Sequence, residues 1–266
     1  GAVSKGKQIH DEIVSRVLLK NHIVLGNALV DMYAKCGMLA KAEQVLKQLP
    51  IRVVASWNAL ISVYSQHGQG DEALKCFEWM QQEGLAPDET TFVCLLRACA
   101  STGAINKGEK IYDDIVSRGL LEKNVLVGTA LVDMYAKCGA LAKAQQALEE
   151  LPMRDVVSWN ALIGGFATQG HNYEAMNCFD RMQTEGFSPD AITFSCILKA
   201  CGSARAIEKG KQIHDEIASR GWLKKDVVLG NALIVMYVKC SLLAKAQQVL
   251  EDLPVRNAIS WSALIA

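Results

Sequence analysis

The 266-residue sequence has little of what marks several common classes of protein. It contains no run of about 20 apolar residues, so no segment is predicted to span a membrane. Its 28 basic and 28 acidic side chains cancel, which excludes a broadly basic nucleic-acid coat. With only five prolines and 20 glycines it is not expected to form long loops, and a hydrophobic content of 50% excludes a disordered chain. The first five residues resemble neither a signal peptide nor a transit peptide.

The nine cysteines include no Cys-x-x-Cys pair, but they recur at a fixed distance. Cys36, Cys138 and Cys240 are 102 residues apart, and the other six form three pairs with the same separation. A cysteine that returns at one place in each copy of a repeat is predicted to fill a small apolar core site rather than to serve metal or redox chemistry. Free cysteines in this number favour a reducing compartment.

The same 102-residue period organises the whole chain. The segment ALVDMYAKCG at 28–37 returns unchanged at 130–139, and ALIVMYVKCS follows from Ala232. Tryptophans 57, 159 and 261 share one column, and all five prolines fall in two columns. The chain is therefore a tandem array.

Each 102-residue copy contains three shorter units with helical periodicity. Leu29, Met32, Tyr33 and Cys36 have the spacing of one helix face, and Gly37 is predicted to end that helix. A second helix is predicted from there to the next proline. Unit lengths cycle through 31, 35 and 36 residues, which we call S, P and L repeats. The complete repeats, numbered 1 to 7, are 23–53 (S), 54–88 (P), 89–124 (L), 125–155 (S), 156–190 (P), 191–226 (L) and 227–257 (S).

Partial repeats occupy both ends: 1–22 matches the end of an L repeat, and 258–266 the start of a P repeat. We therefore expect the sequence to be part of a longer protein. One hairpin cannot bury its own apolar stripe, so neighbouring hairpins must stack. No strand signals are present. The predicted fold is all-α, an α-solenoid of stacked helix-turn-helix repeats that form a right-handed superhelix.

Two families of helical hairpins come close to these lengths. Tetratricopeptide repeats carry Trp-x-x-Leu-Gly-x-x-Tyr, and the segment Trp57-Asn-Ala-Leu-Ile-Ser-Val-Tyr64 lacks that glycine. The sequence is instead similar to pentatricopeptide repeat proteins of the plant PLS class. Residues 156–190 resemble the P motif, 191–226 the L motif and 125–155 the S motif. The resemblance extends over essentially all 266 residues.

This resemblance implies binding of single-stranded RNA, with one base read per repeat by two or three side chains. In the family, the fifth and last residues of each repeat contact the base. Carried over, these pairs are Asn27/Val53, Asn58/Asp88, Val93/Asn124, Thr129/Asp155, Asn160/Asp190, Ser195/Asp226 and Asn231/Asn257, with Ser262 at the fifth position of the partial repeat.

The chemistry of these side chains is consistent with base selection. A carboxylate only accepts hydrogen bonds and so suits the ring N–H of U and G, whereas an asparagine can also donate. In the family, Thr or Ser at the fifth position accompanies purines and Asn accompanies pyrimidines. Repeats 1 to 7 are then predicted to read any base, U, any base, G, U, an uncertain base, and C or U. Val53 and Val93 depart from the family pattern.

Two further sets of residues follow from the resemblance. The second residue of each repeat is where the family stacks bases, although ordinary helix-start packing is an alternative. These residues are Val24, Ala55, Thr90, Leu126, Val157, Ile192 and Val228. Lys35, Lys137 and Lys239 recur once per S repeat and could approach phosphates, or could be solvated lysines at a helix C-terminus.

Proteins of the PLS class guide C-to-U editing in plant organelles, and many carry a zinc deaminase domain that requires His-x-Glu and Pro-Cys-x-x-Cys. His10-Asp-Glu12 and His214-Asp-Glu216 match the first half, but no Pro-Cys-x-x-Cys exists, and we interpret both as exposed helix surface. The chain is therefore not expected to be an enzyme or to hold a cofactor or metal, to bind a small-molecule substrate or to contact a membrane. The resemblance implies an organellar location, mitochondrion or chloroplast, with editing cofactor proteins or a deaminase domain outside this chain as further partners. The alternative is a protein-interaction scaffold, although a peptide groove gives no reason for polar fifth and last columns.

Overall fold

The computed structural model describes residues 2–15 and 22–265, where helices are the only regular elements. Residues 1 and 16–21 of the first partial repeat, and residue 266 of the last, lie outside the described residues. The helices of the described chain are α1 Ala2–Ser15, α2 Ile23–Lys35, α3 Leu39–Gln48, α4 Val54–Gln66, α5 Gly70–Gln82, α6 Glu89–Thr102, α7 Ile105–Ser117, α8 Val125–Lys137, α9 Leu141–Glu150, α10 Val156–Thr168, α11 Asn172–Thr184, α12 Ala191–Ala204, α13 Ile207–Ser219, α14 Val227–Lys239, α15 Leu243–Asp252 and α16 Ala258–Ile265, with a 3-10 turn at Trp222–Lys224.

Each predicted complete repeat contains two of these helices, and its first residue begins the first helix. First helices have 13 or 14 residues throughout, whereas second helices have 10 in S repeats and 13 in P and L repeats. The S repeat is thus shorter because its second helix has one turn fewer. The predicted all-α fold is confirmed, while the repeat boundaries and the handedness of the superhelix stay predictions.

The chain divides into two compact bodies, of which the N-terminal body is Gly1–Cys138. Its first helices α2, α4, α6 and α8 each contact the next, so they form one layer. The second helices α3, α5 and α7 pack against the first helix of their own repeat and of the following repeat. Apolar side chains between the layers, such as Leu60, Phe92 and Leu95, are fully buried. This shared core makes each hairpin depend on its neighbours.

The C-terminal body, Gly139–Ala266, repeats this arrangement. Its first helices α10, α12, α14 and α16 form one layer, and α11, α13 and α15 pack between successive members of it, with α9 against α10. Trp159, Phe179 and Phe194 are among its largest fully buried side chains. These three aromatic residues bury large apolar surfaces in the core of this body.

Left-handed backbone conformations end several helices. Gly37 and Gly139 follow the first helices of two S repeats with φ of 73° and 78°. In the third S repeat this position is Ser241, which has φ of 61° although a side chain disfavours that region. Arg205 occupies a comparable position with φ of 53°, where the earlier copy has Gly103. The third copy of the glycine column thus carries backbone strain that the first two avoid.

The cysteines largely match the prediction of core sites. All nine are free thiols, and Cys99 and Cys201 are fully buried. Burial raises the pKa of each of these two thiols to about 12. Cys36 is the exception, because it is exposed at the end of α2. The high pKa values keep the buried thiols protonated and unreactive at neutral pH.

The expectation that the His-x-Glu segments form exposed surface is wrong for the first histidine. His10 is only 7% exposed, and its Nδ1 lies 2.8 Å from the Tyr33 hydroxyl. His214 makes the same contact with Tyr237, also at 2.8 Å. Burial lowers the pKa of both histidines. These residues join an L repeat to the S repeat that follows it.

Candidate nucleic-acid interface

The last residue of a repeat is also the N-cap of the next repeat's first helix. Oδ1 of Asp88 accepts a hydrogen bond from the backbone N–H of Thr91 at 2.8 Å, which satisfies one of the free N–H groups at the start of α6. The same bond, from the third residue of a repeat to the preceding last residue, occurs at Asp155/Ser158, Asp190/Thr193 and Asn257/Ser260. This capping role was not predicted, although the recurring Asp/Asn-x-x-Ser/Thr spacing signals it.

In repeat 2, the predicted pair Asn58/Asp88 is brought into direct contact. Asn58 Nδ2 donates to Asp88 Oδ1 at 2.9 Å. The Thr91 hydroxyl in turn donates to Asn58 Oδ1 at 2.6 Å and lies 2.9 Å from Asp88 Oδ1. Asn58 is 8% exposed, whereas Asp88 is exposed. Three residues from two successive repeats thus form one hydrogen-bonded cluster.

Repeat 5 contains the same cluster in the C-terminal body. Asn160 Nδ2 donates to Asp190 Oδ1 at 3.0 Å, and the Thr193 hydroxyl donates to Asn160 Oδ1 at 2.6 Å. Asn160 is buried to the same degree as its counterpart in repeat 2. The two P repeats therefore present equivalent sites, each built from the start of one first helix and the start of the next.

In repeat 2, the electrostatics of the cluster keep the Asp88 carboxylate charged. Burial would raise the pKa of Asp88, but hydrogen bonds from the backbone and hydroxyl of Thr91 and from the Asn58 amide outweigh it and lower that pKa. Within the described residues, the hydrogen bonds to Asp88 and Asp190 end on Oδ1. Oδ2 of each carboxylate is left to accept from another group, and the asparagine amide has a second N–H to donate.

In repeat 1 the cluster is incomplete. The Ser56 hydroxyl donates to Asn27 Oδ1, as Thr91 does in the next repeat. Val53, the last residue, offers no side-chain acceptor, and its backbone N–H donates to the Ser56 hydroxyl at 3.3 Å. Within the described residues, the Asn27 amide is therefore held from one side only.

In the part of the chain that the structure describes, neither complete L repeat forms the cluster. Asn124 and Asp226 still cap the following helices, through hydrogen bonds from Leu126 N at 2.9 Å and Val228 N at 2.8 Å. Among the described residues, no hydrogen bond joins Asn124 to Val93, or Asp226 to Ser195. The third residues of the following S repeats, Val127 and Leu229, are buried and apolar, so they supply no hydroxyl.

The remaining pairs differ from one another. Thr129 is 8% exposed in the N-terminal body, and Asp155 caps α10 in the C-terminal body. In repeat 7, Asn257 accepts from Ser260, and Asn231 Oδ1 is buried without a hydrogen-bond partner in the described part of the chain. Ser262 is exposed and donates to the Ala258 carbonyl at 2.8 Å. The assignment of these pairs as base readers stays a prediction.

Every predicted stacking residue is exposed at the N-terminal end of a first helix. Val24, Leu126 and Val228 are 79%, 66% and 67% exposed. The others in the N-terminal body are Ala55 and Thr90, and in the C-terminal body Val157 and Ile192. Ile259, the second residue of the last partial repeat, is 65% exposed and was not among the predicted residues. Their exposure does not favour the alternative of ordinary helix-start packing, and their assignment as base-stacking residues stays a prediction.

The three predicted phosphate ligands lie elsewhere. Lys35, Lys137 and Lys239 are the last residues of α2, α8 and α14, about 17 Å along the helix axis from the exposed second residues. Lys35 and Lys137 form ion pairs with aspartates one turn earlier, at 2.7 and 2.8 Å. Their role in phosphate binding stays a prediction, although this distance and pairing do not favour it.

Two other lysines lie closer to the exposed row. Lys123 and Lys225 are exposed and directly precede the last residues Asn124 and Asp226. Neither forms an ion pair within the described residues. Their 102-residue spacing was the sequence signal that could have identified them.

Over residues 2–15 and 22–265, no helix is long and apolar enough to cross a membrane. The same residues include no group of three or more His, Cys, Asp or Glu side chains that could hold a metal ion.

Two models of known protein families match the chain. The model described as PPR repeat family matches residues 52–101 and 154–203, and that described as PPR repeat matches 27–51 and 90–120. Together these matches span more than half of the 266 residues. The chain belongs to the pentatricopeptide repeat family.

Curated relatives extend the similarity to the whole chain. A chloroplastic pentatricopeptide repeat-containing protein of Arabidopsis thaliana is 37% identical over 99% of this chain and 42% of its own length. A mitochondrial one from the same plant is 36% identical over 98% of this chain and 25% of its own length. The chain thus spans less than half the length of these relatives.

Among solved structures, the chain is similar to the pentatricopeptide repeat protein PPR10 in complex with an 18-nt psaJ RNA element. The TM-score is 0.78 at 22% identity, over 100% of this chain and 40% of that one. A structure of PPR10 from maize gives a TM-score of 0.69 over 90% of this chain and 36% of that one, also at 22% identity. At this identity the likeness shows a common fold.

Proposed function

We propose that the chain binds single-stranded RNA sequence-specifically, one base per repeat, and is the target-recognition part of an organellar C-to-U RNA editing factor of the PLS class. The observation that carries the RNA-reading proposal is the cluster at Asn58/Asp88/Thr91, with its equivalent in repeat 5. Protein recognition gives no reason for two distant repeats to hold a buried amide and a carboxylate in one geometry.

The free atoms of the cluster match the edge of uracil. One amide N–H of Asn58 can donate, and Oδ2 of Asp88 can accept. Uracil presents a ring N–H beside two carbonyl oxygens, so it supplies one donor and one acceptor to these two groups. Cytosine presents an unprotonated ring nitrogen to the carboxylate, and an acceptor facing an acceptor leaves both unpaired. The pair therefore favours U over C.

The exposed second residues support the proposal because they lie beside the clusters. The Asn58–Thr91 bond brings the N-terminal turns of α4 and α6 together, and the exposed Thr90 belongs to the same turn. Exposed aliphatic side chains at this edge can cover the faces of bases without selecting among them. Lys123 and Lys225 are at the same ends of first helices and can reach phosphates.

The cycle of repeat lengths supports the assignment to the PLS class, and the relatives support an organellar location. Lengths of 31, 35 and 36 residues follow in strict order, as in the PLS class. Relatives with organellar names support a mitochondrial or chloroplast location, and PPR10 with bound RNA shows that a protein of this fold accommodates such a ligand. In this proposal, editing chemistry belongs to parts beyond these 266 residues or to partner proteins.

The test is an affinity measurement with the chain and RNAs that carry U opposite repeats 2 and 5 and G opposite repeat 4. We expect tighter binding than to RNAs of the same length with C at the two U positions, by on the order of 5- to 150-fold per position. Binding should weaken with log salt at a slope of about −0.7 per phosphate contact. Equal affinity for all these RNAs would contradict the proposal.

A further inference from the structure

At three junctions, the third residue of a repeat donates a hydrogen bond to the fifth residue of the repeat before it. Thr91 and Thr193, the third residues of repeats 3 and 6, donate their hydroxyls to Asn58 Oδ1 and Asn160 Oδ1, both at 2.6 Å. Ser56, the third residue of repeat 2, donates in the same way to Asn27. All three donors are fully buried, so none of them is placed to touch RNA itself.

An asparagine amide needs such a contact to present a defined edge. Rotation by 180° about the bond to the amide carbon exchanges the donor and the acceptor, and both forms have nearly the same shape. In repeat 2, Asp88 requires the amide nitrogen on its side, and Thr91 requires the oxygen on the other. The two contacts agree on one orientation, and together they hold the amide from both ends.

We propose that the third-residue hydroxyl is a positioning group for base reading, so that Thr91 and Thr193 set the uracil preference of repeats 2 and 5. This inference rests on the proposed RNA-reading function. Without the hydroxyl, the buried Oδ1 of Asn58 loses its partner, and the side chain gains by turning toward water. The amide then meets the base in more than one orientation, and discrimination between bases falls.

The two complete L repeats are followed by repeats that supply no such hydroxyl. Their fifth residues, Val93 and Ser195, lie before S repeats whose third residues, Val127 and Leu229, are apolar. Ser195 is the fifth residue of repeat 6, and Asp226 caps the helix that follows that repeat. Even so, repeat 7 supplies no hydroxyl to Ser195, because its third residue is Leu229. We therefore expect repeats 3 and 6 to discriminate less than repeats 2 and 5.

The experiment compares Thr91→Val, Thr91→Ser and Thr193→Val with the parent chain, using four RNAs that carry U or C opposite repeats 2 and 5. Valine keeps the shape of threonine and removes the hydroxyl, whereas serine keeps the hydroxyl. In Thr91→Val we expect the preference for U over C opposite repeat 2 to fall by on the order of tenfold, with the preference opposite repeat 5 unchanged. Thr193→Val should show the reverse, and Thr91→Ser should retain both preferences.

Thr91 also caps α6, because its hydroxyl accepts from Asp88 N at 3.2 Å, so valine is expected to lower the melting temperature. A purely structural role predicts weaker binding to all four RNAs, with U/C ratios unchanged, and that result overturns the inference while leaving RNA reading intact. A parent chain with no U preference at either position refutes the proposed function, and the inference with it. The U/C ratio, and not the affinity alone, is therefore the readout.

Discussion

Replacing Asp88 by asparagine tests the carboxylate as the atom that selects the base. In the structure, Oδ1 of Asp88 already accepts from Thr91 N at 2.8 Å and from Asn58 Nδ2 at 2.9 Å. The amide oxygen of Asp88→Asn can keep both bonds, because asparagine and aspartate cap helices about equally well. The amide nitrogen then takes the place of Oδ2, so that a group that only accepted becomes one that donates.

The consequence for base preference can be worked out from that exchange. The ring N–H of uracil loses its acceptor, and the unprotonated ring nitrogen of cytosine gains a donor, so repeat 2 should switch from U to C. Each mismatch is expected to cost about 1–3 kcal/mol, a ratio of about 5- to 150-fold. The folding cost is smaller, about 0.3–1 kcal/mol, because only the favourable charge at the start of α6 is lost.

The assay measures the affinity of the parent and variant chains for RNAs that differ only opposite repeat 2, with thermal unfolding of each chain alongside. Asp190→Asn provides the matched test, because it should switch repeat 5 and leave repeat 2 unchanged. Glu89→Gln, which removes the same charge from the exposed neighbouring residue, should alter neither preference. If Asp88→Asn weakens binding to the U and C RNAs equally, the carboxylate supports the helix and does not read the base.

Asp155→Asn should change the preference of repeat 4 from G to A, by on the order of 5- to 150-fold, in the same affinity assay; an unchanged preference would falsify its place in the code. Leu126→Ser removes a side chain that is 66% exposed, so RNA affinity should fall by about fivefold for all bases alike while the melting temperature stays within about 2 °C. Burial lowers the pKa of His214, so its contribution to stability is fully present above about pH 6.5 and is lost as the pH falls toward the folded-state pKa. The free energies of unfolding at pH 7.5 and pH 5 should therefore differ more for the parent chain than for His214→Gln. Equal differences for the two chains would contradict this. Ser241→Gly relieves a φ of 61° and should stabilise the chain by about 0.5–1 kcal/mol in denaturant unfolding, whereas Gly139→Ser should destabilise it.

The helical array was predictable from the sequence because its signals are local and repeated. The spacing of Leu29, Met32 and Tyr33 indicates one helix face, and these residues lie in α2, with Leu29 and Tyr33 buried. The 102-residue period supplies the same evidence three times. The starts of the first helices followed from aligning those copies, to the residue.

The contacts between repeats were not predictable from the same signals. Asn58 and Thr91 are 33 residues apart, and nothing in the local pattern of either indicates that they share a hydrogen bond. The burial of His10 depends on a tyrosine 23 residues away in the same manner. Periodicity shows which side of a helix is apolar, whereas contacts between polar residues depend on how neighbouring helices are placed. The fifth/last pairing came from a family resemblance and not from the residues alone.

Each complete cluster is built from the fifth and last residues of one repeat and the third residue of the next. A single repeat is therefore not a transferable reading module. Moving repeat 54–88 elsewhere would carry Asn58 and Asp88 but leave Thr91 behind, and a following repeat that begins like an S repeat supplies Val127 or Leu229 instead. Duplication of a whole 102-residue segment keeps every S–P, P–L and L–S junction, and hence every cluster, intact. An array of this kind can grow or shrink in steps of three repeats without losing a reading site, whereas the gain of one repeat breaks one junction and creates two, and the loss of one repeat breaks two and creates one.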